Sequence, residues 1–327
     1  MLGEYYKGKR VLVTGGCGSI GRKIVEELLK YDVDVVKAFD NNETGLFDLD
    51  LDLKSPKLKT VVGDVKQIDG LKRVFRDVDI VLHAAAYKHV PSCEYNPMEA
   101  VETNVGGTQR VIDAAMACGV EKVILISTDK AVNPVNVMGA TKLLAERVMI
   151  SSNVYSGENG TKFACVRFGN VLNSRGSVIP IFKKQIKKGG PLTITDVEMT
   201  RFIMNIHEAA RLILNAVSIS EGGEIFILKM PAVKVTDIAE VMIEHYAPKY
   251  GYKPEDIEIK LIGMRVGEKL NEDLMNPNEI YHAEEIDDLY IIHRDVVEDH
   301  LDFIYNSSEI ELLSKEEVLE ILKAIDD

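Results

Sequence analysis

"RVLVTGGCGSIGRKIVEELLKY", residues 10–31, opens with a short β-rich run ending in glycine and closes with apolar residues at helical spacing. Between the two lie Gly15, Gly18 and Gly21, a GxxGxxG spacing rather than GxGxxG. The first glycine permits a tight turn, the second a close approach of backbone to a pyrophosphate, and the third close packing of helix on strand. The helix N-terminus, beginning with Ser19 and Ile20, then turns its free N–H groups toward the phosphates. Glycines also serve ordinary turns, but a triplet set between a strand and an amphipathic helix predicts a dinucleotide site.

Working outward, "VDVVKAFD" (33–40) reads as a second strand and ends on Asp40, nineteen residues after Gly21. A carboxylate there accepts hydrogen bonds from both adenosine ribose hydroxyls and repels a 2′-phosphate, which favours NAD while leaving NADP possible. The competing reading is a plain loop aspartate in "FDNNE". "LKTVVGD" (58–64) is a third strand whose end places Asp64 and Val65 beside the adenine. A helix over about 67–76 leads to a fourth strand at 79–85, followed by the small residues Ala84, Ala85 and Ala86, which leave room for cofactor contacts. His83 reads as a packed, hydrogen-bonded histidine. A helix over about 98–118, a fifth strand at 122–128, a helix over 139–152 and a sixth strand at 162–169 complete the alternation. Strands separated by helices of this length predict an α/β fold, a Rossmann-type doubly wound parallel sheet.

After about residue 170 the segments shorten, with turns such as "KKGGP" (187–191) and "SEGGE" (220–224) and helical stretches near 235–247 and 315–325. The division expected is 1–170 for the cofactor and 171–327 for a smaller α/β substrate-binding portion interleaved with it. Asp plus Glu number 52 and Lys plus Arg 39, a net charge of −13 that argues against broad nucleic-acid or anionic-membrane surfaces. Cys17, Cys93, Cys118 and Cys165 are scattered without ligand spacing; they read as free thiols in a reducing compartment, and no metal site is expected. No apolar stretch approaches the roughly 20 residues that cross a bilayer, and no signal peptide is evident. The expectation is a cytoplasmic protein.

The motifs "TGGCGSIG", "HAAAYKHVP", "NVGGT", "STDKAVNP", "MGATK", "RFGNVLNSRGSVIP", "LTITDVEMTRF" and "GMRVGEKLNEDL" follow one another in that order over about residues 10–290. Together they resemble the UDP-N-acetylglucosamine 4,6-dehydratases of the polysaccharide-biosynthesis family, within the extended short-chain dehydrogenases/reductases. That resemblance implies a homo-oligomer, dimer or hexamer, with an NAD(P) cofactor tightly bound and recycled. The wider class usually sets a tyrosine four residues before a lysine; here the pair is Met138 and Lys142, and a thioether carries no proton. Several members of the dehydratase family share that methionine, so the resemblance implies a working branch in which Lys142 holds the nicotinamide ribose and Met138 packs.

A 4,6-dehydration oxidises C4, removes the C5 proton, expels the C6 hydroxyl as water and returns hydride to C6. Related dehydratases carry Asp–Glu where this chain has Asp129–Lys130, which implies Asp129 as general acid and Lys130 as C5 base. Burial raises the pKa of an aspartic acid and lowers that of a lysine, the directions both roles need, although a neighbouring carboxylate opposes the second. For the O4 proton, Thr128 is the first candidate relay, with Asp129 serving both steps as the alternative. Ser127 is structural or substrate-positioning, and no nucleophile elbow supports a serine hydrolase.

For the substrate, a UDP-sugar, the same resemblance implies Asn170, Arg175, Ser177, Thr200, Arg201, Arg265 and Glu268, with Lys269 a weaker candidate. Lys88 and Glu94 are candidates for the sugar. Asn104 in "ETNVGGT" stands among cofactor contacts and, as its competing role, buttresses the active-site strand through backbone hydrogen bonds. "PSCEYNP" and "LTITDVEMTRF" resemble the C5-inverting enzymes, a group that commonly uses NADP, whereas "FDNNETGLF" resembles NAD-using, C5-retaining relatives; inversion is the reading taken. A C4-epimerase shares fold and cofactor, and a non-enzymatic cofactor-binding regulator is the alternative of another class.

Overall fold

The computed structural model describes residues 2–172, 174 and 176–326, without the side chains of 325 and 326. Six strands alternate with helices: β1 (Arg10–Thr14), β2 (Val35–Asp40), β3 (Leu58–Val62), β4 (Ile80–His83), β5 (Lys122–Ile126) and β6 (Lys162–Arg167). Further along come β7 (Asn170–Val171), β8 (Leu192–Ile194), β9 (Thr200–Met204), β10 (Ile225–Leu228), β11 (Ala232–Lys234), β12 (Ile259–Leu261), β13 (Ala283–Ile286) and β14 (Leu289–Ile292). The main sheet has the order β13-β14-β10-β6-β5-β4-β1-β2-β3. From β10 to β3 all neighbours run parallel, and β14 and β13 close one side antiparallel. Helices cover both faces, so Val123, Ile124, Leu125 and Ile126 of β5 are all buried, as a doubly covered parallel strand requires.

Strand order reverses between β1 and β4, and the crevice at that switch point is where such sheets take their ligands. Thr14, His83 and Leu125 stand in one row across β1, β4 and β5, so the residues just beyond them share one rim. His83 is buried in that row between the hydroxyls of Thr14 (2.7 Å) and Thr108 (3.2 Å). Burial, with Lys142 adding to it, lowers its pKa to about 3, so it is a neutral packing histidine.

The chain beyond 170 returns β10, β13 and β14 to the main sheet, and its helix Ile206–Ile219 packs on Ser19–Leu28. A second apolar core joins Ile179, Phe182, Leu192, Met242 and Leu322 from the helices Val178–Ile186, Val235–Tyr246 and Lys315–Asp326 with β8. Two features differ from expectation. The helix expected over 98–118 is continuous but carries a π-helical turn, Val101–Gly106, between Pro97–Ala100 and Gly107–Cys118. An element also appears where the sequence reading assigned none: "FDLDLDL" alternates with a strand-like period, yet residues Glu43–Leu53 form a helix because the Asn42 side chain caps it, accepting from Gly45 N at 3.0 Å.

Candidate active site

The glycine loop is a cradle that side chains would fill. A Cβ on Gly15, whose φ is +67°, would lie 2.7 Å from Ala85 N, and one on Gly21 would lie 2.1 Å from Gly15 O. The loop after β1 therefore touches the loop after β4, with Ala84, Ala85 and Ala86 half-buried beside it. Gly18 caps the helix Ser19–Leu28, Ser19 starts it, and Ile20 packs on the core. Asp40 ends β2 at the same rim, its carboxylate accepting from Cys17 N (3.3 Å) and Asn42 N (3.0 Å). Asp64 follows β3 and accepts from Lys66 N at 2.9 Å. The side chain of Val65 is buried under Gly107, where a Cβ would meet it at 2.9 Å. A pyrophosphate and an adenosine ribose fit this arrangement of glycine backbone, helix terminus and carboxylate.

Asn104 has the bonds of a buttress. The π-helical turn points it inward, and its amide bonds Tyr87 N (2.8 Å), Tyr87 O (3.0 Å) and Thr141 Oγ1 (2.9 Å). It thus ties the loop after β4, rather than a strand, to the helix Val137–Ser151. Met138 on that helix is buried with Cys93 and Ala100 in a small apolar cluster. Lys142, one turn on, donates to Ile126 O at 2.6 Å at the end of β5. Burial pulls its pKa down to about 8, against the opposing charge of Glu146. Between pH 8 and 10.5 the unfolded chain then holds more protons than the folded one, so stability rises with pH across that window. Lys142→Met is expected to stabilise the apoprotein by about 1–3 kcal/mol at neutral pH and to lose that advantage near pH 10, read as a difference in Tm.

The segment after β5 carries the charged centre. Ser127 N donates to Val166 O (2.7 Å) and Asp129 N to Phe168 O (3.1 Å), which continues the β5–β6 pairing and aims Asp129 inward. Asp129 is fully buried; its Oδ1 accepts from Thr128 Oγ1 (2.7 Å), Lys130 N (2.9 Å) and Lys130 Nζ (3.0 Å), and its Oδ2 has no partner among the described residues. Ser127 is buried with its hydroxyl likewise unbonded. Gly139 is needed here: a Cβ would stand 2.2 Å from Lys130 O, where the helix start abuts this turn.

Lys130 Nζ also lies 3.4 Å from Asn170 Oδ1 and 3.5 Å from Oε1 of Glu272. The expectation of a lysine lowered by burial is overturned. Burial acts that way, but Asp129 and Glu272 outweigh it and hold the Lys130 pKa above its ordinary value. Glu272, from "GEKLNEDL", is a site residue that the sequence reading missed; Glu268 and Lys269 drew attention to the motif while Glu272 read as one of its acidic neighbours.

Several expected substrate contacts are engaged elsewhere. Thr200 is buried, bonded to Asn271 (2.9 Å) and Ser307 (2.7 Å). Arg201 donates to the carbonyls of Thr200 (2.7 Å), Leu270 (2.9 Å) and Lys269 (2.8 Å), so its guanidinium fastens the 265–272 segment to β9. Glu94 accepts from Val137 N (2.7 Å) at a helix start, and Lys269 donates to Val132 O (2.8 Å). Glu268 accepts from Arg265 N at 3.0 Å. Arg265 is exposed, as is Lys88 in the loop after β4, and Ser177 stands at the start of Val178–Ile186 with its hydroxyl unbonded among the described residues. Arg175 lies outside the described residues.

Lys130, Asn170, Arg201, Arg265, Glu268 and Glu272 converge on one cavity of about 160 Å³. A larger concavity of about 880 Å³ lies elsewhere, lined by Arg147, Asn153, Gly222 and Arg294 among others, and contains neither the glycine loop nor residues 127–130. The smaller one, lined by Lys130 and Asn170, is the candidate site. No group of acidic, histidine or cysteine side chains among the described residues could hold a metal ion.

Residues 11–294 match the family described as polysaccharide biosynthesis protein. A Methanocaldococcus jannaschii protein called an uncharacterized membrane protein is 57% identical over 99% of this chain and 98% of its own. A Campylobacter jejuni protein named UDP-N-acetylglucosamine 4,6-dehydratase (inverting) is 40% identical over 88% of this chain and 83% of its own. A Rickettsia canadensis protein named UDP-glucose 4-epimerase is equally similar, 40% over the same shares. Among solved structures, Pen from Bacillus thuringiensis superposes with a TM-score of 0.93 at 41% identity, covering 98% of both chains.

Proposed function

Because this chain belongs to the polysaccharide biosynthesis protein family, we propose that it is a UDP-N-acetylglucosamine 4,6-dehydratase that inverts C5. The observation that carries this reading is the Asp129–Lys130 ion pair just past β5, Asp129 fully buried and Lys130, partly buried, lining the cavity of about 160 Å³. In this reading residues 1–170 hold the cofactor and 171–327 the sugar nucleotide. NAD, when bound, supplies the hydride acceptor for C4 and the donor for C6. The chain's own groups do the rest. Thr128 Oγ1, donating to Asp129 at 2.7 Å, relays the O4 proton onto that carboxylate. Asp129, now a carboxylic acid, gives a proton to the departing C6 hydroxyl, so one residue closes the cycle that Met138 cannot enter. Lys130 takes the C5 proton. Asn170, Arg265 and Glu268 line the approach to the UDP moiety.

Asp40 selects NAD. Asp40→Ala is expected to weaken NAD binding about 10–100-fold, the worth of lost hydrogen bonds to a charged group, and to narrow the preference over NADP; calorimetric titration with each cofactor reads both. A homo-oligomer and a cytoplasmic location are part of the same proposal. The exposed Tyr95 and Met98 support self-association, and no helix among the described residues is long and apolar enough to cross a membrane.

A C4-epimerase is the second reading, favoured by the Rickettsia protein's name and by the charged state of Lys130, which an epimerase without a C5 base could keep throughout. NMR of UDP-N-acetylglucosamine with the protein in D₂O decides. A C6 methyl with deuterium at C5 is the expected product, its couplings reporting the configuration; a C4 epimer without a methyl would overturn dehydration.

A further inference from the structure

Glu272 has no task in the scheme above, yet it is buried in the charged centre itself. Its Oε1 lies 3.5 Å from Lys130 Nζ and 3.8 Å from Arg201 Nε, and its Oε2 is buried without a hydrogen-bond partner. Lys130 must be neutral to accept a proton from C5, and the three oxygens around its ammonium hold it charged. The proton needs somewhere to go. Asp129 is committed to the O4 and O6 protons, and Asn170 cannot accept one.

We propose that Glu272 is the positioning residue that discharges Lys130, taking the lysine's third proton across the 3.5 Å contact so that the free amine can receive the C5 proton. The transfer balances: an N–H bond of the ammonium breaks, an O–H bond forms on the carboxylate, and the C5 proton restores the ammonium. A solvent proton then closes C5 from the opposite face as hydride reaches C6, and Glu272 releases its proton to solvent, which returns the resting pair. The inference rests on the dehydratase reading for its purpose, although the pairing itself does not. With Asp129 and Glu272 ionised and Lys130 and Arg201 charged, the cluster is neutral, and it remains neutral after the transfer. An ion pair becomes a neutral pair, the change that favours itself when a substrate displaces water from a small cavity. The groups facing Glu272 act in both directions. Burial favours its protonation, as does Asp129, while Lys130, Arg201 and Lys269 oppose it; the balance holds the carboxyl above its ordinary range.

The test uses the full chain with Glu272→Gln, which keeps shape and loses the proton acceptor. The first readout needs no substrate: competitive labelling with acetic anhydride across pH, following the Lys130 peptide by mass spectrometry. Loss of the carboxylate is expected to shift Lys130 titration downward by about one pH unit or more. An unmoved titration overturns the proposal whatever reaction the protein performs. The second readout is turnover of UDP-N-acetylglucosamine. Near neutral pH kcat is expected to fall about thirtyfold or more with KM nearly unchanged, then to recover as pH rises and Lys130 loses its proton to water. A loss that runs parallel to wild type at every pH would mark a packing role and overturn the proposal. Glu272→Asp, with its carboxylate drawn back from Lys130, covers the case in which the glutamine variant does not fold: an intermediate loss with the same alkaline recovery supports the inference, and wild-type behaviour overturns it. Absence of the methyl product in wild type would instead sink the dehydratase reading, leaving the labelling result to judge the pair.

Discussion

Lys130→Ala is expected to reduce formation of the 4-keto-6-deoxy product on the order of 10³-fold, the scale of a lost general base. The variant should still bind NAD, because Gly15 and Gly21 pack on backbone of Ala84, Ala85 and Gly15, and Asp40 bonds Cys17 N, none of which involves Lys130. Its removal also leaves Asp129 and Glu272 buried without the cation they share. Arg201, 3.8 Å from Glu272, stays as a cation beside them, and burial already favours the protonated form of Glu272, so the fold persists. The comparison that matters is between steps. Deuterium incorporation at C5 should disappear along with the methyl product, whereas a protein working as an epimerase would keep its turnover at C4. Unchanged dehydration in Lys130→Ala would remove Lys130 from the chemistry altogether.

The second large effect concerns stability. Arg167 at the end of β6 is buried and binds two carboxylates, each in a double hydrogen bond: Glu146 at 2.9 and 2.8 Å, and Glu279 at 2.8 and 2.9 Å. Glu146 sits on the helix that carries Lys142, and Glu279 belongs to the segment leading into β13. Arg167→Leu removes the cation that both acids share, leaving Glu279 with Asn276 N (3.0 Å) and Arg147 at 3.9 Å, a change that costs about 3–5 kcal/mol when a buried pair is broken on one side. Thermal unfolding should show a Tm lower by on the order of 10 °C. Burial raises the pKa of Glu279, but the charge and hydrogen bonds of Arg167 outweigh it and hold it low. The depressed value means that this part of the stability is present above the ordinary carboxylate range and is lost as pH falls through the folded value. Wild type and Arg167→Leu should therefore converge in stability at acid pH. A variant with an unchanged Tm at neutral pH would show that the triad contributes nothing net.

The parts of this protein that local chemistry dictates were legible from residue order. Gly15 and Gly21 announce the cradle because no other residue fits where backbone meets backbone, and apolar runs such as 123–126 announce strands covered on both faces. The helix Glu43–Leu53 was not legible, because one capping side chain overrules the alternating pattern after it. Roles set by distant partners were harder still. Arg201 reads as a phosphate ligand, and only the fold shows that it also binds the carbonyls of Lys269 and Leu270. The protonation of Lys130 depends on Glu272, 142 positions away, and no spacing rule brings those two together.

The return of β10, β13 and β14 to the main sheet has a consequence for biosynthesis. When β6 leaves the ribosome its outer edge has no neighbour, and it stays open until residues 225–228 emerge to pair with it in parallel. Arg167 meanwhile waits for Glu279 more than a hundred residues later. An N-terminal fragment ending near 170 would therefore carry an unpaired, apolar strand edge and a half-compensated buried charge. Such a nascent chain is a client for holding factors, and it becomes self-sufficient only once nearly the whole polypeptide has been made.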